Sequence, residues 1–170
     1  KFFHVIVVKS FTQEAIKNFK NKKNLILIKS YNLPIDKKKD VRSVIGGYLI
    51  QDKNTILISK KNLRNVSNIK SNNRLRDDLI FSLKVCKHVK SNAIVLSKNN
   101  QTIGIGAGQM SRIDSTKLAI LKNKKNLNVE KFVASSDAFF PFNDSIRLLI
   151  KNKCKAIVQP MGSINDKKII

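Results

Sequence analysis

Short apolar runs that end in a polar turn and lead into a stretch of helical period recur along this chain. That alternation of strand with helix confines it to an α/β layered fold with a partly parallel sheet. Val5-Ile6-Val7-Val8 and Leu25-Ile26-Leu27-Ile28 are the first such runs, and between them Thr12 can cap a helix whose Ala15, Ile16 and Phe19 share one face. The same logic makes Phe3 to Val8 a buried strand and sets two more at Val44 to Ile50 and Thr55 to Ser59, separated by Gln51-Asp52-Lys53-Asn54. Leu75, Leu79, Leu83 and Cys86 fall on one helical face, so Asn73 to about Val89 is the clearest amphipathic helix. Ala93 to Ser97 and Thr102 to Ile105 flank Asn99-Asn100, residues that tolerate the positive φ of a tight hairpin. Ser111, with Asp114 three residues on, opens another helix through an approximate capping box. Strand Phe132 to Ser135, helix Asp144 to about Lys153, strand Ala156 to Gln159 and a helix from near Ser163 complete the pattern.

At 170 residues the chain suits one domain, with room for a second, and no Pro/Gly/Ser-rich linker divides it. A hydrophobic share of 42% argues against disorder. No apolar run approaches the roughly 18 residues of a membrane span, and the opening Lys1-Phe2-Phe3-His4, closed by Lys9, is no secretory signal. The net charge of +23 suggests a nucleic-acid binder. Composition offers a plainer cause, because 28 of the 34 basic residues are Lys and only 6 are Arg, amid abundant Asn and Ile that share its AT-rich codons. A nucleic-acid surface favours Arg forks and interleaved aromatics. Here clusters such as Lys37-Lys38-Lys39 and Lys122-Asn123-Lys124-Lys125 are expected in solvated loops, with salt-sensitive nonspecific binding their main consequence.

Chemistry concentrates at three strand ends: Gly104-Ile105-Gly106-Ala107-Gly108-Gln109-Met110-Ser111-Arg112, Ser135-Ser136-Asp137-Ala138-Phe139-Phe140-Pro141-Phe142-Asn143-Asp144, and Gln159-Pro160-Met161-Gly162-Ser163. Each carries the chain from a strand's carboxyl end into a helix, where open α/β sheets bind ligands, so parallel strands would bring all three turns to one pocket. The glycines at 104, 106 and 108 miss the dinucleotide spacing, and close backbone packing or a bulge explains them better. The Phe139-Phe140-Pro141-Phe142 cluster is equally a buried strand end or a wall for a flat heterocycle. Asp144 suits a helix cap. Cys86 and His88 stand two apart on a helix and diverge, while Cys154 and His4 have no ligand-spaced neighbour, so no metal site is expected. Lys87-His88 looks like an acid/base pair but diverges for the same reason. Two cysteines suggest reduced thiols in a cytoplasmic protein.

In combination, Lys90-Ser91-Asn92-Ala93-Ile94-Val95, the glycine segment through Arg112, and Ser136-Asp137-Ala138-Phe139-Phe140-Pro141-Phe142 closely resemble the bifunctional purine-biosynthesis family. That family joins an aminoimidazole-carboxamide ribotide (AICAR) transformylase to an inosine monophosphate (IMP) cyclohydrolase. Val41-Arg42-Ser43-Val44 with Gly46-Gly47, and Gln159-Pro160 with Gly162-Ser163, support the likeness, which runs in order along nearly the whole chain.

The resemblance implies a three-layer α/β/α, cytidine-deaminase-like fold with a mixed sheet. Residues 1–170 would be part of the transformylase domain, its second deaminase-like unit, with the cyclohydrolase domain and first transformylase half absent. It implies formyl transfer from 10-formyltetrahydrofolate to the 5-amino group of AICAR, without metal, in a homodimer with a shared active site. Asn92, Arg112 and Phe139 would fall at AICAR-binding positions, and Ile113, Asp144, Ser163 and Ile164 at folate-binding positions. The family's catalytic Lys-His pair would precede Lys1, and Lys87-His88 does not replace it, so no catalytic residue is assigned in this chain. A further Arg segment would follow Ile170, and Met161 stands where the family has a small residue. The expectation is therefore a fragment that is inactive alone.

Overall fold

The computed structural model describes residues 3–31, 39–56 and 58–169, and the chain divides into two compact units, Lys1–Ile56 and Leu57–Ile170. In the first, β1 (Val5–Val8) pairs in parallel with β2 (Ile26–Lys29) through α1 (Gln13–Phe19), and Thr12 Oγ1 caps that helix by accepting from Ala15 N at 3.1 Å. β1 is not the buried strand expected from Phe3 onward: it starts at Val5, and its alternate residues Val5 and Val7 stand about half exposed. β3 (Lys39–Val44) and β4 (Gly47–Asp52) form an antiparallel hairpin in register Val44↔Gly47. The single strand expected over Val44 to Ile50 is therefore wrong. Its apolar letters straddle a turn that Gly46 makes possible at φ +83°. The strand expected at Thr55 to Ser59 also fails, because its described residues adopt no strand and lead into a 3₁₀ turn at Lys60–Asn62; Leu57 lies outside the described residues.

The second unit contains α2 (Asn73–Cys86), β5 (Ile94–Lys98), β6 (Gln101–Gly106), α3 (Arg112–Asn126), β7 (Val133–Ser136), α4 (Asp144–Lys151), β8 (Ala156–Val158) and α5 (Asp166–Ile169). Its sheet has the order β6-β5-β7-β8. β5 is antiparallel to both neighbours and β7 is parallel to β8, so β6, β7 and β8 share one direction. The sheet is mixed, as expected. The β5–β6 hairpin turns on Asn99 and Asn100 at φ 53° and 54°, also as expected, and Asp78 Oδ1 of α2 accepts from Asn100 N at 2.7 Å.

Residues of β5 and Ala93 just before it alternate between two clusters. Ile94 and Leu96 pack with Ile103, Ala119, Phe132, Phe140 and Leu149, whereas Ala93 and Val95 pack with Cys86 of α2. The face that α2 turns to the sheet is more polar than its leucines suggest. Ser82 Oγ donates to Val95 O at 3.0 Å and shares a second hydrogen bond with Ser135 Oγ at 2.8 Å, and Ser97 Oγ donates to Asp78 O at 3.1 Å. Lys122 to Lys125, expected in a loop, instead form the last turns of α3, where Lys124 and Lys125 complement the negative end of the helix dipole. Of the other lysine cluster, Lys39 begins β3, and Lys37 and Lys38 lie outside the described residues. Among the described residues no helix is long and apolar enough to cross a membrane.

Cys86 is fully buried, its Sγ 3.6 Å from Ala93 O, and loss of water pushes its thiol up from 9.0 to about 11, an effect larger than the opposing hydrogen bond with Ser135. This raised value makes the contribution of the neutral thiol complete below pH 9.0 and lost as pH rises through about 11. At pH 8 a disulfide reagent is expected to label native Cys86 at least about 100-fold more slowly than the unfolded chain, as cleavage and mapping of the labelled protein will show.

A candidate ligand site at one rim of the sheet

Because β6, β7 and β8 run the same way, their carboxyl ends and the starts of α3, α4 and α5 share one rim with the amino end of β5. Two glycines let α3 reach it. A Cβ on Gly104 would stand 2.1 Å from Ala119 O and one on Gly106 1.8 Å from Ser115 O, so the helix backbone rests directly on β6. Close packing is thus the role of these two glycines. The approach lets Ser115 Oγ donate to Asn92 O at 2.7 Å, and Gly108, at φ +66°, turns the chain so that its N–H donates to Lys90 O at 2.9 Å. Ser111 then caps α3 by accepting from Asp114 N at 3.2 Å. The Ser111 hydroxyl, and next Lys117, lower the pKa of the exposed Asp114 carboxyl.

Arg112, the first residue of α3, is nearly buried and holds three acceptors: Nε to Ser136 Oγ at 2.8 Å, Nη1 to Asn92 Oδ1 at 3.1 Å and Nη2 to Asp137 Oδ1 at 2.9 Å. A guanidinium has five N–H groups, so two are left without a hydrogen bond among the described residues. The pair with Asp137 is sheltered, the two side chains being 11% and 13% exposed, and Asp137 Oδ1 also accepts from Ala93 N at 3.1 Å. Asn92 Nδ2 donates to Gln109 O at 3.0 Å and Met110 O at 3.3 Å. Its amide nitrogen is therefore committed to the glycine loop, and what Asn92 can offer a ligand is a lone pair of Oδ1. Asn92 and Arg112, set apart by 20 residues, are in direct contact. Ser136 and Asp137, which orient them, were not among the expected site residues. Their one signal is a polar pair directly at a strand's end.

The phenylalanines divide their roles. Phe140 is fully buried in the core, whereas Phe139, two residues beyond Asp137, is 40% exposed and Phe142 more so. Phe140 is thus the strand-end core residue and Phe139 keeps a face for a ring. Ile113 follows Arg112 in the first turn of α3, half-buried. Asp144 is exposed at the start of α4, where its Oδ1 accepts from Ser145 N at 2.6 Å; Asn143 holds the cap position without a side-chain bond. On the next loop Ser163 is half-buried, its Oγ accepting from Asn165 N at 3.1 Å, and Ile164 is fully exposed. The β7 and β8 loops are tied together by Phe140 N donating to Gln159 Oε1 at 2.8 Å and Asn165 Nδ2 donating to Pro141 O at 3.2 Å. Asp144, Ser163 and Ile164 share the rim with Arg112, and no hydrogen bond among the described residues joins them to it. A groove of about 530 Å³ lies elsewhere in the unit, between segment 63–71, α2 and β8, and no expected site residue lines it. Cys86 is buried and His88 exposed, so that pair does not meet, and among the described residues no three His, Cys, Asp or Glu cluster as metal ligands.

Fold and rim define an α/β protein with a hydrogen-bonded cluster of polar side chains beyond the carboxyl ends of its parallel strands, where such sheets bind ligands. A family model described as AICARFT/IMPCHase bienzyme matches residues 1–122. The bifunctional purine biosynthesis protein PurH of Fusobacterium nucleatum is 48% identical over 169 residues, covering 99% of this chain and 33% of that protein. The PurH proteins of Aquifex aeolicus and Buchnera aphidicola are 42% and 45% identical over 99% and 100% of the chain, again covering 33% of each relative. The chain spans about one third of the length of these relatives, and it belongs to the AICARFT/IMPCHase bienzyme family.

Proposed function

We propose that this chain supplies substrate-binding residues for transfer of a formyl group from 10-formyltetrahydrofolate to the 5-amino group of AICAR, in the synthesis of IMP. The observation that carries this reading is the guanidinium of Arg112, oriented by Asn92, Ser136 and Asp137 with two N–H groups to spare. They suit the polar atoms of the ribotide, and the half-exposed ring of Phe139 suits its imidazole. Asp144, exposed with one oxygen unbonded among the described residues, suits the donor-rich edge of a pterin, and Ile113, Ser163 and Ile164 are proposed to line the folate cleft with it.

The chemistry asks for little else from these residues. The amine nitrogen, whose lone pair is shared with the ring and carboxamide, attacks the formyl carbon to form a C–N bond and an oxyanion. Collapse breaks the bond to N10 of the folate, which leaves with the proton the amine gives up. Binding and orientation of the two substrates are the tasks this rim serves. No residue here is proposed as the base. A Lys-His pair supplied by another segment or a partner subunit completes the site, and this chain alone is inactive.

Residues 1–170 are proposed as part of the transformylase domain, the second of two cytidine-deaminase-like, three-layer units, in a cytoplasmic homodimer. The alternation of β5 between α2 on one side and α3 and α4 on the other supports that layering.

The test is titration with AICAR and an unreactive folate analogue, beside a short DNA duplex at two salt concentrations. Asp144→Ala is expected to weaken folate binding about 10-fold or more, the scale of a charge-assisted hydrogen bond, with AICAR affinity unchanged. Unaltered folate affinity in that variant, or salt-steep duplex binding with no response to folate, would refute the reading.

A further inference from the structure

Apolar packing does not fix the loop after β8, since Ile164 is fully exposed and Met161 more than half so. Beside the Asn165–Pro141 bond, one buried carboxylate does. Asp166, 8% exposed, accepts from Gly162 N at 2.9 Å and Ser163 N at 3.0 Å through Oδ2, and from Gln159 Nε2 at 3.3 Å through Oδ1. Gln159 turns its other end to the β7 loop, where Oε1 accepts from Phe140 N at 2.8 Å, and Phe140 is anchored in the core between Phe139 and the start of α4.

We propose that Gln159 and Asp166 are positioning residues that lock the folate loop, Ser163 and Ile164, to the loop bearing Phe139 and Asp144. This rests on the folate reading given above.

The lock has a fixed polarity. Two backbone N–H groups need the Oδ2 side of residue 166, and Phe140 N–H needs the oxygen of residue 159, so Gln159 must present its NH₂ to an acceptor. An amide at 166 cannot satisfy both sides, because its own NH₂ must face either the backbone N–H pair or the Gln159 NH₂. Reversing both residues restores every bond. Gln159→Glu presents a second oxygen to the NH₂ of an Asn at 166, whose oxygen still takes Gly162 and Ser163.

In the full-length natural protein, D166N is expected to raise the dissociation constant for an unreactive folate analogue at least about tenfold while that for AICAR stays within about twofold. The Q159E/D166N pair is expected to return folate affinity to within about threefold of the unaltered protein. A direct contact between Asp166 and folate, or loss through general loosening, predicts no such rescue. Folate affinity untouched in D166N, or folded D166N and Q159E/D166N chains equally impaired, overturns the proposal. Should D166N not fold, Q159L decides: weakened folate binding with AICAR binding intact supports the lock, and unchanged folate binding overturns it. Failure of the unaltered protein to bind folate at all is a separate outcome, and it overturns the functional reading on which the lock rests.

Discussion

Replacing Arg112 by alanine is expected to lower unfolding stability by about 3–5 kcal/mol, the usual cost of leaving a sheltered charge without its partner. Asp137 would keep only the Ala93 N–H, and Asn92 Oδ1 and Ser136 Oγ would lose their donor. At the proposed ribotide site the same change removes the remaining N–H groups, so AICAR binding should fall below detection by calorimetric titration. Arg112→Lys should recover little of either, since an ammonium cannot reach three acceptors in the fork geometry of a guanidinium. Urea unfolding measures the first effect and titration the second. A variant whose midpoint and AICAR affinity both match the unaltered protein would contradict the arrangement.

Gly106→Ala is expected to destabilise by about 3 kcal/mol or more, the upper end for overpacking. The added Cβ would lie 1.8 Å from Ser115 O and 2.6 Å from Ser115 C, atoms of helix backbone that cannot swing aside as a side-chain tip could. Relief requires α3 to lift from β6, carrying Ser115 away from Asn92 and Arg112 from Asp137. Gly47→Ala is the matched control, because nothing among the described residues lies within 4 Å of its Cβ. Thermal unfolding of the two variants side by side should show a large loss for the first and almost none for the second.

What local chemistry decides was legible in the sequence. The Asn99-Asn100 hairpin, the cap at Ser111 and the strand-to-helix order from Asn73 onward depend on residues within a few positions of one another, and all three stand as read. The Asn92–Arg112 contact was reachable through the family resemblance. Illegible were the features that distant partners decide. Asp78 and Ser82 face the sheet because Asn100 N–H and Val95 O await them there, which no apolar periodicity can reveal. The reversal of β5 between two strands of the opposite sense is likewise a matter of pairing. Ser136 and Asp137 escaped assignment because their importance lies in orienting a side chain 24 and 25 positions away.

The order β6-β5-β7-β8 makes β5 an interior strand, paired along both edges and buried through most of its length, whereas β8 is a three-residue border strand paired along one edge among the described residues. Opening β5 means breaking two ladders and both packed faces, while β8 can fray by releasing one. Stiffness therefore grades across the rim. The Asn92–Arg112 corner is moored to an interior strand and the Ser163–Ile164 corner to a border strand, so the second depends more heavily on the Gln159–Asp166 bonds to hold its shape for a ligand.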